Sequence, residues 1–132
     1  MASIFTKIIK REIPAYIVAE DEQNIAFLDI RPLQKGHTLV VPKVEVDHLF
    51  DLAEEDHRAL WSFARKIGRA IQQTMPGERV ASVVLGMEVP HAHIHLIPIY
   101  RESDIRFDQK PLEFSSVQME EIAAEIRAAV EE

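Results

Sequence analysis

Apolar and polar positions change their spacing several times along this chain, and each change marks an expected element. Ile4, Phe5, Ile8 and Ile9 recur at helical intervals, with Lys7, Lys10 and Arg11 between them. That spacing predicts a short helix ending before Pro14, because proline disfavours helical backbone in the residue ahead of it. Residues 16–19 read as a strand, residues 21–24 as a polar turn and residues 25–30 as a second strand, together a hairpin. A loop over residues 31–36 is punctuated by Pro32 and Gly36. Residues 37–41, rich in β-branched side chains and stopped by Pro42, predict a third strand.

Asp51 is expected to open a long helix, with Glu54 as its capping-box partner. Leu60, Phe63, Ala64, Ile67 and Ile71 supply its apolar stripe, and Pro76-Gly77 stops it. Residues 79–85 predict a fourth strand. The loop of residues 86–90 is too short for a crossover, so the next strand, residues 91–99, is expected to pair antiparallel with it. Residues 101–114 are polar and irregular. Ser115 with Gln118 forms a second capping-box pattern that opens a final helix over about residues 116–131. The sum is one α+β domain over residues 1–132, with helices on a five-stranded, mostly antiparallel sheet.

Composition narrows the function classes. The net charge is −7, from 15 basic and 22 acidic residues, which argues against non-specific nucleic-acid binding. It leaves room for a small anion held by histidines and backbone N–H groups. No apolar run approaches the ~20 residues of a membrane span, and residues 1–10 lack the apolar core and cleavage site of a secretory signal. There is no cysteine, hence no disulfide and no thiolate metal site. Together these predict a cytoplasmic protein without membrane partners.

The candidate chemistry lies in the run His91-Ala92-His93-Ile94-His95. On a strand, alternate side chains share a face, so the imidazoles would line one side while Ala92, Ile94 and Leu96 pack on the other. The outer two Cα atoms would stand about 13 Å apart, at roughly 3.3 Å per residue. Two of the rings are close enough to share a metal ion, but all three are not. No Asp, Glu or Cys lies within the motif, so Asp29, His37 or Glu88 could complete a metal site only through the fold. Alternatively, a neutral imidazole can attack phosphorus and form a phosphoramidate that water later cleaves. Its other nitrogen then needs an acceptor, and flanking rings can bind phosphoryl oxygens or protonate the leaving group. The middle ring, His93, is the natural nucleophile. The plainest alternative is a histidine-lined face without chemistry. His48 and His57 are assigned no function, and Trp61 is read as packing or as part of a subunit interface.

The run HAHIHLIP resembles the motif of the histidine triad family. The stretch IFTKIIKREIPAYIVAEDEQNIAFLDIRPLQKGHTLVVPK is similar to the branch containing nucleoside phosphoramidases, so the likeness covers residues 4–99. It implies a nucleotide hydrolase or transferase acting at an α-phosphate through a covalent nucleotidyl-histidine on His93. His95 would contact phosphate oxygens, His91 would support the nucleophile and His37 would support the triad. Asp29 would bind the ribose hydroxyls, and Ile4, Phe5, Ile8, Phe27, Ile30 and Leu39 would line the nucleoside pocket. The implied fold is α+β, with two five-stranded sheets merged across a homodimer. No cofactor or metal is implied. The plain readings are a turn residue for Asp29, a strand start for His37, and core for Ile4, Phe5 and Ile8.

The chain departs from the family pattern in two places. The connection over residues 85–90 is short, with Leu85 where relatives place an Asn and Glu88 where they place a Ser or Gln beside the nucleotide. An ionised carboxylate there would repel phosphate unless turned away; alternatively it would hold a histidine cationic or carry a proton. Ser3 and Thr6 stand where some relatives carry a zinc-binding Cys-x-x-Cys, which predicts a zinc-free protein. The expected activity is hydrolysis of purine nucleoside phosphoramidates or dinucleoside polyphosphates. A weakly catalytic nucleotide-binding dimer is the alternative. A transferase is less favoured, because His95 stands where nucleotide-transferring relatives often have Gln.

Overall fold

The sheet consists of β1 (Ile17–Glu20), β2 (Asn24–Leu28), β3 (Thr38–Pro42), β4 (Arg79–Val83) and β5 (Ile94–Ile99). They lie in the order β1-β2-β3-β5-β4, each antiparallel to its neighbours. The coordinates are a computed structural model that describes residues 2–131. Three helices complete the fold: α1 (Ile4–Ile9), α2 (Glu54–Thr74) and α3 (Ser116–Ala129). Among the described residues no helix is long and apolar enough to cross a membrane.

Alternation divides the sheet into two faces. Val18, Ala26, Leu28, Val40, Ile94 and Leu96 point to one side and pack against Leu60, Phe63, Ile67 and Ile71 of α2 and Met119, Ile122 and Ile126 of α3. Leu60, Ile67 and Ile71 are wholly buried, and each such burial contributes roughly 1.5–3 kcal/mol. On the opposite side, Ile25, Phe27, Leu39 and Val41 pack against Phe5 and Ile8 of α1. The register places Phe27 beside Leu39 and Leu39 beside His95. One row across the α1 face therefore runs from apolar residues into the histidines.

Several boundaries differ from the sequence expectation. The second strand ends at Leu28 rather than residue 30: the Asp29 N–H still reaches the His37 carbonyl at 3.0 Å, but the chain then turns, with the Arg31 N–H bonding the Asp29 carboxylate at 2.9 Å. The long helix starts at Glu54, and Asp51 does not cap it. Residues Leu49–Asp51 form a separate 3₁₀ turn anchored by buried Leu49 and Leu52, and Ala53 caps α2 without a side-chain bond. Glu54, Glu55 and Asp56 instead place negative charge on its first turn. The fourth strand stops at Val83, ahead of the turn that Gly86 makes with φ +73°. The histidine strand begins at Ile94. Before it, Ala92 N–H bonds the Val46 carbonyl at 2.7 Å instead of joining a neighbouring strand. The final helix ends at Ala129, two residues short of the expected end, while the expected box of Ser115 and Gln118 is present at its start.

Candidate functional site

The nucleophile candidate is fixed by its own backbone neighbour. His93 Nδ1 lies 2.7 Å from the carbonyl oxygen of His91, which can only accept, so Nδ1 carries the proton. Burial pushes the His93 value below that of a free imidazole, the His91 carbonyl and then Asp29 and Glu88 pull the other way, and the net shift is downward. The ring is therefore neutral at pH 7, with a lone pair on Nε2. That atom bonds no protein group. No side-chain nitrogen or oxygen among the described residues is both fully buried and unpaired, so Nε2 opens to solvent.

A second chain of bonds sets His95 and His37. The Leu33 N–H donates to His37 Nδ1 at 3.1 Å, which places the proton of the neutral ring on Nε2. His37 Nε2 lies 3.0 Å from His95 Nδ1 and donates to it. His95 thus carries its proton on Nε2, a free N–H donor 5.0 Å ring-to-ring from His93. Burial lowers His37 to about 4 against the pull of Asp29. Burial, with His37 and His93 adding to it, lowers His95 to about 3. Gly36 shapes the entry to β3: its φ is +93°, and a Cβ there would lie 2.5 Å from Met75 Cγ.

The other expected residues divide into two sets. Phe5 meets His93 edge-on at 4.9 Å and Phe27 at 5.5 Å, and with Ile8 and Leu39 they form a buried apolar wall beside the rings. Asp29 is half-buried, accepts from Arg31 N–H at 2.9 Å and lies 3.6 Å from His37 Nε2. Ile4 and Ile30 stand outside that wall, 48% and 73% exposed. Ile30 instead borders a groove with Tyr16 and Val117 of α3. Glu88 is exposed on the loop before the triad and makes no hydrogen bond or ion pair among the described residues.

Asp29, His37 and His95 also present potential metal ligands within 4.8 Å of one another, the one such cluster among the described residues. Proton placement opposes it. His37 Nε2, the atom facing the other two, holds the ring's proton as long as Nδ1 accepts from Leu33.

Other contacts went unread in the sequence. The His91 ring, wholly buried, bonds Ser3 Oγ at 2.7 Å through Nδ1 and the Pro42 carbonyl at 2.7 Å through Nε2. Ser3 is held in turn by Glu45. Phe107, from the irregular segment, stacks edge-on against His95 at 4.9 Å. Ser3 did carry a signal as a serine immediately ahead of a helical pattern. Glu45 and Phe107 sit in stretches without periodicity.

Comparison with known proteins bears on the family and the fold. A HIT domain model matches residues 10–102. An uncharacterized HIT-like protein of Methanocaldococcus jannaschii is 37% identical, across 94% of this chain and 98% of its own. An adenosine 5'-monophosphoramidase of Schizosaccharomyces pombe is 35% identical, across 74% of each. The crystal structure of a HIT-like protein from Bartonella henselae superposes with a TM-score of 0.83 at 32% identity, covering 96% of this chain and 95% of that one.

Proposed function

Because this chain belongs to the HIT family, whose domain it carries over residues 10–102, we propose that it is a nucleotide hydrolase acting at an α-phosphate. Its substrates are purine nucleoside phosphoramidates or dinucleoside polyphosphates. The observation that carries this is the state of His93, with its proton held on Nδ1 by the His91 carbonyl and an unpartnered Nε2. The phosphoramidase relative supports the same substrate class.

The Nε2 lone pair attacks phosphorus, the P–Nε2 bond forms, and the bond to the leaving group breaks; a departing amine takes its proton from a water in the solvent-open pocket, and a departing phosphate leaves as the anion. The ring then bears a positive charge, and its Nδ1–H remains on the His91 carbonyl. The Nε2–H of His95 donates to a phosphoryl oxygen as charge builds there. Water attacks next, breaks the P–Nε2 bond, gives up a proton to solvent and releases the nucleoside monophosphate, which leaves His93 neutral with its proton on Nδ1. Phe5, Ile8, Phe27 and Leu39 receive the base, Asp29 takes the ribose hydroxyls, and Ile4 and Ile30 contribute only at the rim. Glu88, solvent-facing, stands near the leaving-group side.

The working unit is a homodimer. The free edge of β4 and the adjoining groove lined by Trp61, Gly68 and Leu96 offer the surface for it. Light scattering at micromolar concentration checks this, with a monomer mass counting against it. For the activity, His93→Ala is expected to abolish turnover of an adenosine phosphoramidate while calorimetry still detects nucleotide binding. Turnover at the unmodified rate in that variant removes His93 from the chemistry.

A further inference from the structure

The ring of His91 cannot serve the substrate, because both of its nitrogens are occupied and it is wholly buried. What the nucleophile uses is the carbonyl of His91, which holds the Nδ1 proton of His93. That carbonyl lies ahead of the strand ladder, since β5 starts only at Ile94. Sheet hydrogen bonds therefore do not fix it: its own peptide is anchored on one side by the Ala92 N–H on the Val46 carbonyl at 2.7 Å, and the His91 side chain anchors the other.

The ring of His91 is gripped from two sides. Its Nε2–H donates to the Pro42 carbonyl at the end of β3, so Nδ1 is the bare nitrogen and accepts from the Ser3 hydroxyl. Ser3 caps α1, its Oγ accepting from Thr6 N–H at 3.0 Å. Glu45 closes the bracket. Its Oε1 accepts from Ser3 N–H at 2.7 Å and from the Thr6 hydroxyl at 2.6 Å. Those two bonds hold the Glu45 carboxyl down at about 2.

We propose that Ser3 and Glu45 are positioning residues for the nucleophile, acting through the His91 ring to hold the carbonyl that keeps His93 in its reactive tautomer. They touch neither substrate nor the reacting atoms. The same bracket ties α1, which carries Phe5 against His93 at 4.9 Å, to the backbone of the triad. Substrate contacts and nucleophile geometry are thereby set by one network. The inference rests on the reading of His93 as nucleophile, but its primary readout needs no substrate.

The test is nitrogen NMR of the full-length protein labelled with ¹⁵N-histidine, together with steady-state kinetics on an adenosine phosphoramidate. Four variants are compared: Glu45→Ala, Glu45→Gln, Ser3→Ala and Ser3→Thr. In the parent protein the His93 shifts are expected to report a single neutral form protonated at Nδ1. Glu45→Ala and Ser3→Ala are expected to show a mixture of the two tautomers. Their kcat should fall about fivefold to tenfold, the worth of one modest hydrogen bond, with KM within about twofold. Glu45→Gln keeps the accepting oxygen and Ser3→Thr keeps both the hydroxyl and the cap, so each should recover the parental shifts and most of kcat. Glu45 is exposed, so its variants fold even if Ser3→Ala does not. Unchanged His93 shifts in Glu45→Ala overturn the proposal, whether kcat holds or falls together with thermal stability. A chain that turned over no nucleotide but showed the tautomer change would refute the hydrolase and leave the positioning intact.

Discussion

Acidification is expected to destabilise this protein well before its carboxylates protonate, because His37 and His95 are folded in neutral form. An unfolded imidazole takes up its proton near pH 6.5. In the fold, burial holds His37 to about 4 and His95 to about 3. Between those values the unfolded chain binds more protons than the native one, so stability is fully present above pH 6.5 and is lost as the pH falls toward 4. For a ring that stays neutral in the fold, the loss from pH 7 to pH 5 is about 2 kcal/mol. The two rings are bonded to each other and titrate as a unit, which loses about 4 kcal/mol over that range, a large share of a typical 5–15 kcal/mol. His91 and His93 are also lowered by burial and act in the same direction. With a urea slope of about 2 kcal/mol per molar, the midpoint of unfolding should fall by about 2 M between pH 7 and pH 5. Urea titrations followed by circular dichroism at both pH values measure this. The double variant His37→Asn, His95→Asn should lose the share of the dependence that these two rings carry and keep only that of His91 and His93. A midpoint that moves by less than about 0.5 M, or an equally steep fall in the double variant, refutes the reasoning.

Two further outcomes follow from particular contacts. Gly36→Ala combines a φ of +93° with a Cβ set 2.5 Å from Met75 Cγ; it should cost about 1–3 kcal/mol, read as a drop in thermal midpoint, and Met75→Ala in the same background should relieve only the steric part. Removal of divalent metals with a chelator should leave phosphoramidate turnover unchanged, because the nucleophile needs only the His91 carbonyl and the cluster of Asp29, His37 and His95 has its facing His37 nitrogen protonated; activity lost to the chelator and restored by zinc would contradict that proton placement.

The alternation of His91, His93 and His95 with Ala92, Ile94 and Leu96 was legible because period two survives even where the regular ladder does not: Ala92, Ile94 and Leu96 all enter the helix-side core. The stripe of α2 was legible for the same kind of reason, since one face of a long helix must bury its apolar side. Local pattern misled at Asp51, whose capping role was displaced by the burial of Leu49 and Leu52. It also could not choose among Ile4, Phe5, Ile8 and Ile9, which span more of a helix than one contact face covers; Phe5 and Ile8 meet the sheet and Ile4 does not. The bracket of Ser3, Glu45 and His91 was illegible because its members lie 42 and 88 residues apart, and nothing in local spacing records a contact made by folding. Phe107 escaped notice in the same way, in a segment held in place by such bonds as Leu112 N–H to the Pro32 carbonyl.

The most direct measurement is mass spectrometry of the protein quenched during turnover of an adenosine phosphoramidate, followed by digestion and sequencing of the modified peptide. A nucleoside monophosphate attached to the imidazole of His93, formed and lost at the rate of turnover, is the predicted result. Turnover with no adduct on any histidine, or with the adduct on His95 or His91, would contradict it.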